Sequence, residues 1–104
     1  MNVEFTVEAR QDILDSYLWY EKQRLGLGDE FILCIDEARE RISRYPESSP
    51  KVYIYYRKCF VRRFPYVLYY RIVEDRIIVI GVLHVKRNPQ AIRDSLMNRN
   101  SESE

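Results

Sequence analysis

From Arg57 to His84 the chain is almost wholly strand-forming, and turn residues cut it twice, at Phe64-Pro65-Tyr66 and at Glu74-Asp75. Such a run leaves little freedom. Val, Ile, Tyr and Phe suit a half-buried pleated surface, and each cut has only enough residues for a hairpin. Three successive strands, about Arg57–Phe64, Tyr66–Val73 and Arg76–Leu83, are therefore predicted to form an antiparallel meander. Alternation puts Cys59, Val61 and Arg63 on one face of the first strand, with Phe60, Arg62 and Phe64 on the other. In the second strand Leu68, Tyr70 and Ile72 oppose Val67, Tyr69 and Arg71. The third is apolar on both faces, as a central strand is, and Gly81 marks a bulge or a close approach.

The first half of the chain changes period. Asn2–Thr6 alternates Val3 and Phe5 with polar neighbours, a short strand, and Thr6 is suited to cap a helix. From Val7 to about Arg24, Ala9, Ile13, Tyr17 and Tyr20 recur at helical spacing, Leu14 and Leu18 widen the stripe, and Trp19 lies to the other side. Gly26 punctuates. A second helix opens near Gly28-Asp29, repeats Phe31, Ile35, Ala38, Ile42 and Tyr45, and stops at Pro46. So short a connection makes the two helices an antiparallel hairpin. Ser48-Ser49-Pro50 is loop, and Lys51–Tyr56 reads as an edge strand or an approach loop. A helical turn over Gln90–Met97 follows Pro89.

The fold class is therefore α+β, in the order β-α-α-β-β-β. The helical hairpin packs on one face of a small twisted antiparallel sheet, and the other face is left free and bears the arginines. Residues 1–96 form a single domain and residues 97–104 a polar, disordered tail.

Charge is segregated along the chain. Residues 1–50 hold 6 Lys/Arg against 11 Asp/Glu, whereas residues 51–104 hold 11 against 5. That split predicts an acidic helical side and a basic sheet side fit for a polyanion or an acidic peptide. A domain of 104 residues has a modest core, so a permanent partner or a homodimer is a natural expectation. Cys34 and Cys59 form no C-x-x-C and read as buried thiols, and a single histidine offers no metal set, so no metal and no cofactor are expected. The chain has no apolar run of signal-peptide or transmembrane length, which reads as cytoplasmic and without a membrane partner.

No nucleophile elbow, zinc-protease helix or phosphate-binding glycine loop is present. The chemistry on offer is cationic. Arg62, Arg63, Arg71 and Arg93, with Tyr69, are candidates for binding a target or an acidic partner. Lys86 and Arg87 leave the central strand together and are the strongest of the basic residues. Metal-independent RNA cleavage would use the 2′-hydroxyl as nucleophile, with cations on the phosphate and groups to move protons. Arg87 and Lys86 would be the cations, with His84 or a tyrosine (Tyr66, Tyr69, Tyr70) moving protons. That set is incomplete, and whether the chain is an enzyme stays open.

The segments RRFPYVLYYRI (Arg62–Ile72) and VLHVKRNP (Val82–Pro89) resemble the RelE/ParE family of small bacterial toxins. ARQDILDSYLWY (Ala9–Tyr20) is similar to the family's first helix, and YPESSP (Tyr45–Pro50) to its proline-containing turn, so the likeness covers about residues 2–95. The resemblance implies a toxin of a type II toxin–antitoxin, plasmid-stabilisation-like module, neutralised by a cognate antitoxin. One branch cuts messenger RNA on the ribosome, and the other inhibits DNA gyrase. Arg87, with Lys86 beside it, matches the arginine after the last strand of the nuclease branch. Val67 and Arg93 stand where that branch has an arginine and a tyrosine. His84 belongs to a Leu-His pair seen in ParE-like members, with no catalytic role implied. The resemblance therefore leans to ParE. The expected activity is growth inhibition by binding a macromolecule such as gyrase; the alternatives are a ribosome-dependent endoribonuclease and a non-toxic relic that only binds its antitoxin.

Overall fold

The computed structural model describes residues 1–53 and 55–103, the last four by backbone only. Its elements are β1 (Asn2–Phe5), α1 (Val7–Gln23), α2 (Leu27–Arg44), β2 (Lys51–Val52), β3 (Tyr56–Phe60), β4 (Tyr66–Val73), β5 (Arg76–His84) and α3 (Pro89–Ser103). The α+β reading holds, with the helical hairpin on one face of the sheet.

Local chemistry sets the helix ends. The Thr6 hydroxyl accepts from the Ala9 N–H at 3.1 Å and caps α1. Gly26 turns the corner in the left-handed region, at φ 90°, and has no side chain to cap α2. Glu21 does so instead: its carboxylate accepts from the N–H groups of Gly26 and Gly28 at 3.0 and 2.8 Å. The end of one helix thus satisfies the start of the next.

The five strands run in the order β1-β5-β4-β3-β2. β3, β4 and β5 are the antiparallel meander, and the two residues of β2 are its edge. β1 pairs parallel to β5, with Val3 opposite Ile77. The sheet is therefore mixed, where the sequence reads as antiparallel throughout. No local pattern reports the direction of a strand whose partner lies so far along the chain. Gly81 meets both expectations: the register slips between Tyr69 and Tyr70 opposite it, and a Cβ there would stand 3.0 Å from the Arg99 guanidinium.

Two cores flank the sheet. Under the helical hairpin, Phe31, Ile35, Ala38 and Ile42 meet Leu68, Tyr70, Ile77 and Val79. On the other face α3 lays Ile92 and Leu96 onto Tyr56, Val67, Tyr69, Ile80 and Leu83. That face is covered, not free. Alternation had already left Val67, Tyr69 and Ile80 apolar there, and such a surface needs a lid.

The last helix extends past residue 96. α3 continues to Ser103, and Arg99 reaches Asp12 of α1 and the Ile80 carbonyl. Three other expectations change. β3 ends at Phe60, and Arg63 adopts φ 71°, which swings Phe64 back to the face of Cys59 and Val61. Leu14 and Leu18 do not widen the core stripe of α1; both face outward.

Candidate functional site

The region that gathers the chemistry lies where β5 ends. Tyr66 at the start of β4 is paired with His84, their rings edge to face at 5.2 Å. The Val85 N–H donates to the Pro65 carbonyl at 2.9 Å, and Arg87 N–H to the His84 carbonyl at 3.1 Å, so a tight turn follows the strand. Lys86 N–H donates to His84 Nδ1 at 3.0 Å. An accepting Nδ1 places the proton of the neutral ring on Nε2. In this arrangement the Nδ1 lone pair of His84 is already occupied.

Two hollows meet at this pair. One, of about 110 Å³, lies between Asp12, Asp15 and Ser16 of α1 and Tyr66, His84 and Arg87. The other, of about 430 Å³, is walled by Trp19, Tyr20, Pro65, Tyr66 and His84. Aromatic packing fixes the shared wall, since Phe31 lies 5.1 Å from the Tyr66 ring and 5.4 Å from both Tyr20 and Phe64. Burial, followed by the neighbouring Tyr66 phenol, pushes the Tyr20 hydroxyl up to about 12, so it stays neutral.

Charge in the smaller hollow is balanced. Asp12 is held by Arg99 at 2.6 Å and accepts from the Val82 N–H at 2.9 Å. Asp15 accepts from Gln11 Nε2 at 2.8 Å. Arg87 therefore shares its hollow with two carboxylates. Among the described residues no group of three or more His, Cys, Asp or Glu is placed to hold a metal ion, and no helix is long and apolar enough to cross a membrane.

The residues singled out from the sequence divide into three places. His84 and Arg87 line the rim hollow; Lys86 stands beside it without lining it. Arg62 and Arg63 belong to the β3–β4 connection and bind the acidic face of α2, at 3.3 Å to Glu37 and 2.8 Å to Glu30. Arg71 and Arg93 lie on the α3 side of the sheet, Arg71 half-buried in β4 and Arg93 exposed on the helix. Tyr69 is 6% exposed beneath α3, and burial raises its phenol. As folded here, Tyr69 is core.

Asp12, Asp15, Ser16 and Trp19 were missed as site residues. Their spacing of three, one and three put them on a single face of α1, so a polar stripe beside the apolar one was there to be read.

Comparison with known proteins bears on the same span. The family model described as "ParE toxin of type II toxin-antitoxin system, parDE" matches residues 3–89. Toxin ParE2 of Mycobacterium tuberculosis, in strains CDC 1551 and H37Rv, is 25% identical over 95 residues, covering 90% of each chain. A solved structure titled "Chromosomal ParDE TA system from P. aeruginosa" superposes with a TM-score of 0.64 at 15% identity, over 83% of this chain and 97% of that one. This last likeness is one of fold.

Proposed function

The chain belongs to the ParE toxin family of type II toxin–antitoxin systems, and from that premise we propose that it inhibits growth by binding DNA gyrase and is neutralised by a cognate antitoxin. The observation that carries the choice of target is the composition of the rim hollow. A nuclease site needs excess positive charge on the scissile phosphate and a group free to take a proton. Here Arg87 is faced by Asp12 and Asp15, and His84 Nδ1 accepts from the backbone of Lys86. Both features favour a binding surface over a cleaving one.

For the antitoxin, the basic character of the second half of the chain, with Lys58 and Arg71 on the sheet and Arg93 on α3, supports an acidic segment that folds as it binds. The nuclease reading keeps one observation in its favour, the convergence of Tyr66, His84 and Arg87 on one hollow.

One experiment separates the readings. Purified protein is added to gyrase acting on relaxed plasmid and, in parallel, to translating ribosomes whose messenger 5′ ends are mapped. Loss of supercoiling with an intact messenger is the expected result. Codon-spaced cleavage with normal supercoiling would make the protein an endoribonuclease. Inactivity in both, with a folded protein that binds its antitoxin, would make it a relic.

A further inference from the structure

α1 is apolar on two opposite sides. Ala9, Ile13 and Tyr20 face the core, while Val7, Leu14 and Leu18 point outward and are 69%, 47% and 49% exposed. At roughly 100° per residue those three fall within an arc of about 40° on the helix. Their separations of seven and four are those of a coiled-coil seam, with Gln11 and Glu21 at the intervening and following seam positions. Single exposed leucines are ordinary on a surface; a row of them along one helical face is not.

The row is also self-complementary. Leu14 and Leu18 are equidistant from a midpoint, and so are Gln11 and Glu21. An antiparallel second copy of α1 about that midpoint sets each Leu14 against Leu18 of the other chain, and each Gln11 against Glu21. The flanks then bring Glu8 within reach of Lys22 of the second copy and Arg10 within reach of Glu21. By symmetry each attraction occurs twice. Two like-charge meetings remain, Asp15 with its own counterpart and Arg10 with Arg24 of the second copy.

From this placement we infer that the outer face of α1 is a homodimer surface, two copies packing antiparallel through Leu14 and Leu18. A single helix pair buries less than the roughly 1,200 Å² of standard interfaces, so the dimer is reversible, with a dissociation constant in the micromolar range. The inference rests on the fold and is independent of what the protein inhibits.

Sedimentation equilibrium from low to high micromolar protein tests it, with circular dichroism to confirm that each variant is folded. The wild type should move from monomer to dimer, and Leu18→Glu should weaken association by about tenfold or more. Glu8→Lys should weaken it, the double change Glu8→Lys with Lys22→Glu should restore it, and Asp15→Asn should strengthen it. A wild type that stays monomeric throughout would overturn the inference, and the stripe would then belong to a different protein. So would a dimer indifferent to Leu18→Glu, or a charge swap that fails to restore what the single change removed.

Discussion

Asp12 in α1 and Arg99 in α3 form a two-pronged ion pair, Nη1 to Oδ2 at 2.6 Å and Nη2 to Oδ1 at 3.0 Å, between residues 87 apart in the chain. Both side chains are largely sheltered, Asp12 at 12% and Arg99 at 16% exposure. The pair joins the layers on the two faces of the sheet across the edge of β5 at Ile80–Val82, beyond the end of β1. α3 otherwise rests on Ile92, Leu96 and the bond from the Tyr56 hydroxyl to the Leu96 carbonyl, at 3.1 Å.

Arg99→Ala leaves the Asp12 carboxylate sheltered, with the Val82 N–H still bound to it. Breaking a fully buried pair costs about 3–5 kcal/mol, and partial exposure brings the expectation here to about 2–3 kcal/mol. For a domain of this size that is a fall in melting temperature of roughly 10 °C or more. Hydrogen exchange should show the α3 amides losing protection before those of β4 and β5. An unchanged urea midpoint would mean the pair contributes nothing.

What the sequence revealed follows from how far each signal reaches. The Thr6 cap, the stripe of Phe31, Ile35, Ala38 and Ile42, and the alternation of Leu68 and Tyr70 against Val67 and Tyr69 are all local, and all appear as read. The parallel pairing of β1 and the docking of α3 through Arg99 are not local, and nothing near Asn2 or Arg99 announces them. Arg62 and Arg63 fall between. Their charge was legible, but their partners Glu37 and Glu30 lie 25 and 33 residues away, on α2. The rim hollow was half legible: VLHVKR marked the β5 side, while the Asp12, Asp15, Ser16 and Trp19 face of α1 was in plain sight and unread.

Gly28→Ala tests the joint of the hairpin. An alanine normally favours a helix over glycine by about 1 kcal/mol. Here its Cβ would lie 2.7 Å from Glu21 Cγ and 2.7 Å from the Tyr17 ring, too close for either to stay. Displacing Glu21 also removes the acceptor for the Gly26 and Gly28 N–H groups. The net change should be a loss of about 1–3 kcal/mol in urea unfolding. A stabilised variant would show that Glu21 is not needed as a cap.

Acid should loosen the contact between α2 and the β3–β4 connection. Hydrogen bonds from Arg63 and then Arg24 hold the Glu30 carboxyl below its ordinary 4.5, and the bond from Arg41 does the same for Glu37. Folding that lowers a carboxyl pKa adds stability present in full above the ordinary value and lost as pH falls through the folded one. The urea midpoint should therefore be level near neutrality and fall below about pH 4.5. The double change Glu30→Gln with Glu37→Gln should start less stable and decline less steeply. Because these pairs are exposed, 1 M salt should shrink the difference. An equally steep acid limb in the double variant would put the lability elsewhere.

Arg87→Ala is the sharpest probe of the rim. The side chain is exposed and lines the hollow, while its backbone N–H bond to His84 does not depend on it, so stability should change by no more than about 0.5 kcal/mol. If the rim is the surface that meets the target, induced expression of Arg87→Ala should no longer arrest growth. Lys86→Ala, beside the hollow rather than in it, should have the smaller effect. Arg62→Ala and Arg63→Ala serve as contrasts, since their guanidinium groups are already engaged by Glu37 and Glu30. Colony counts on inducer order the four variants, and a pull-down with the antitoxin shows which have lost only the target. Full toxicity in a folded Arg87→Ala protein, with loss in Arg62→Ala or Arg63→Ala, would move the active surface from the end of β5 to the β3–β4 connection.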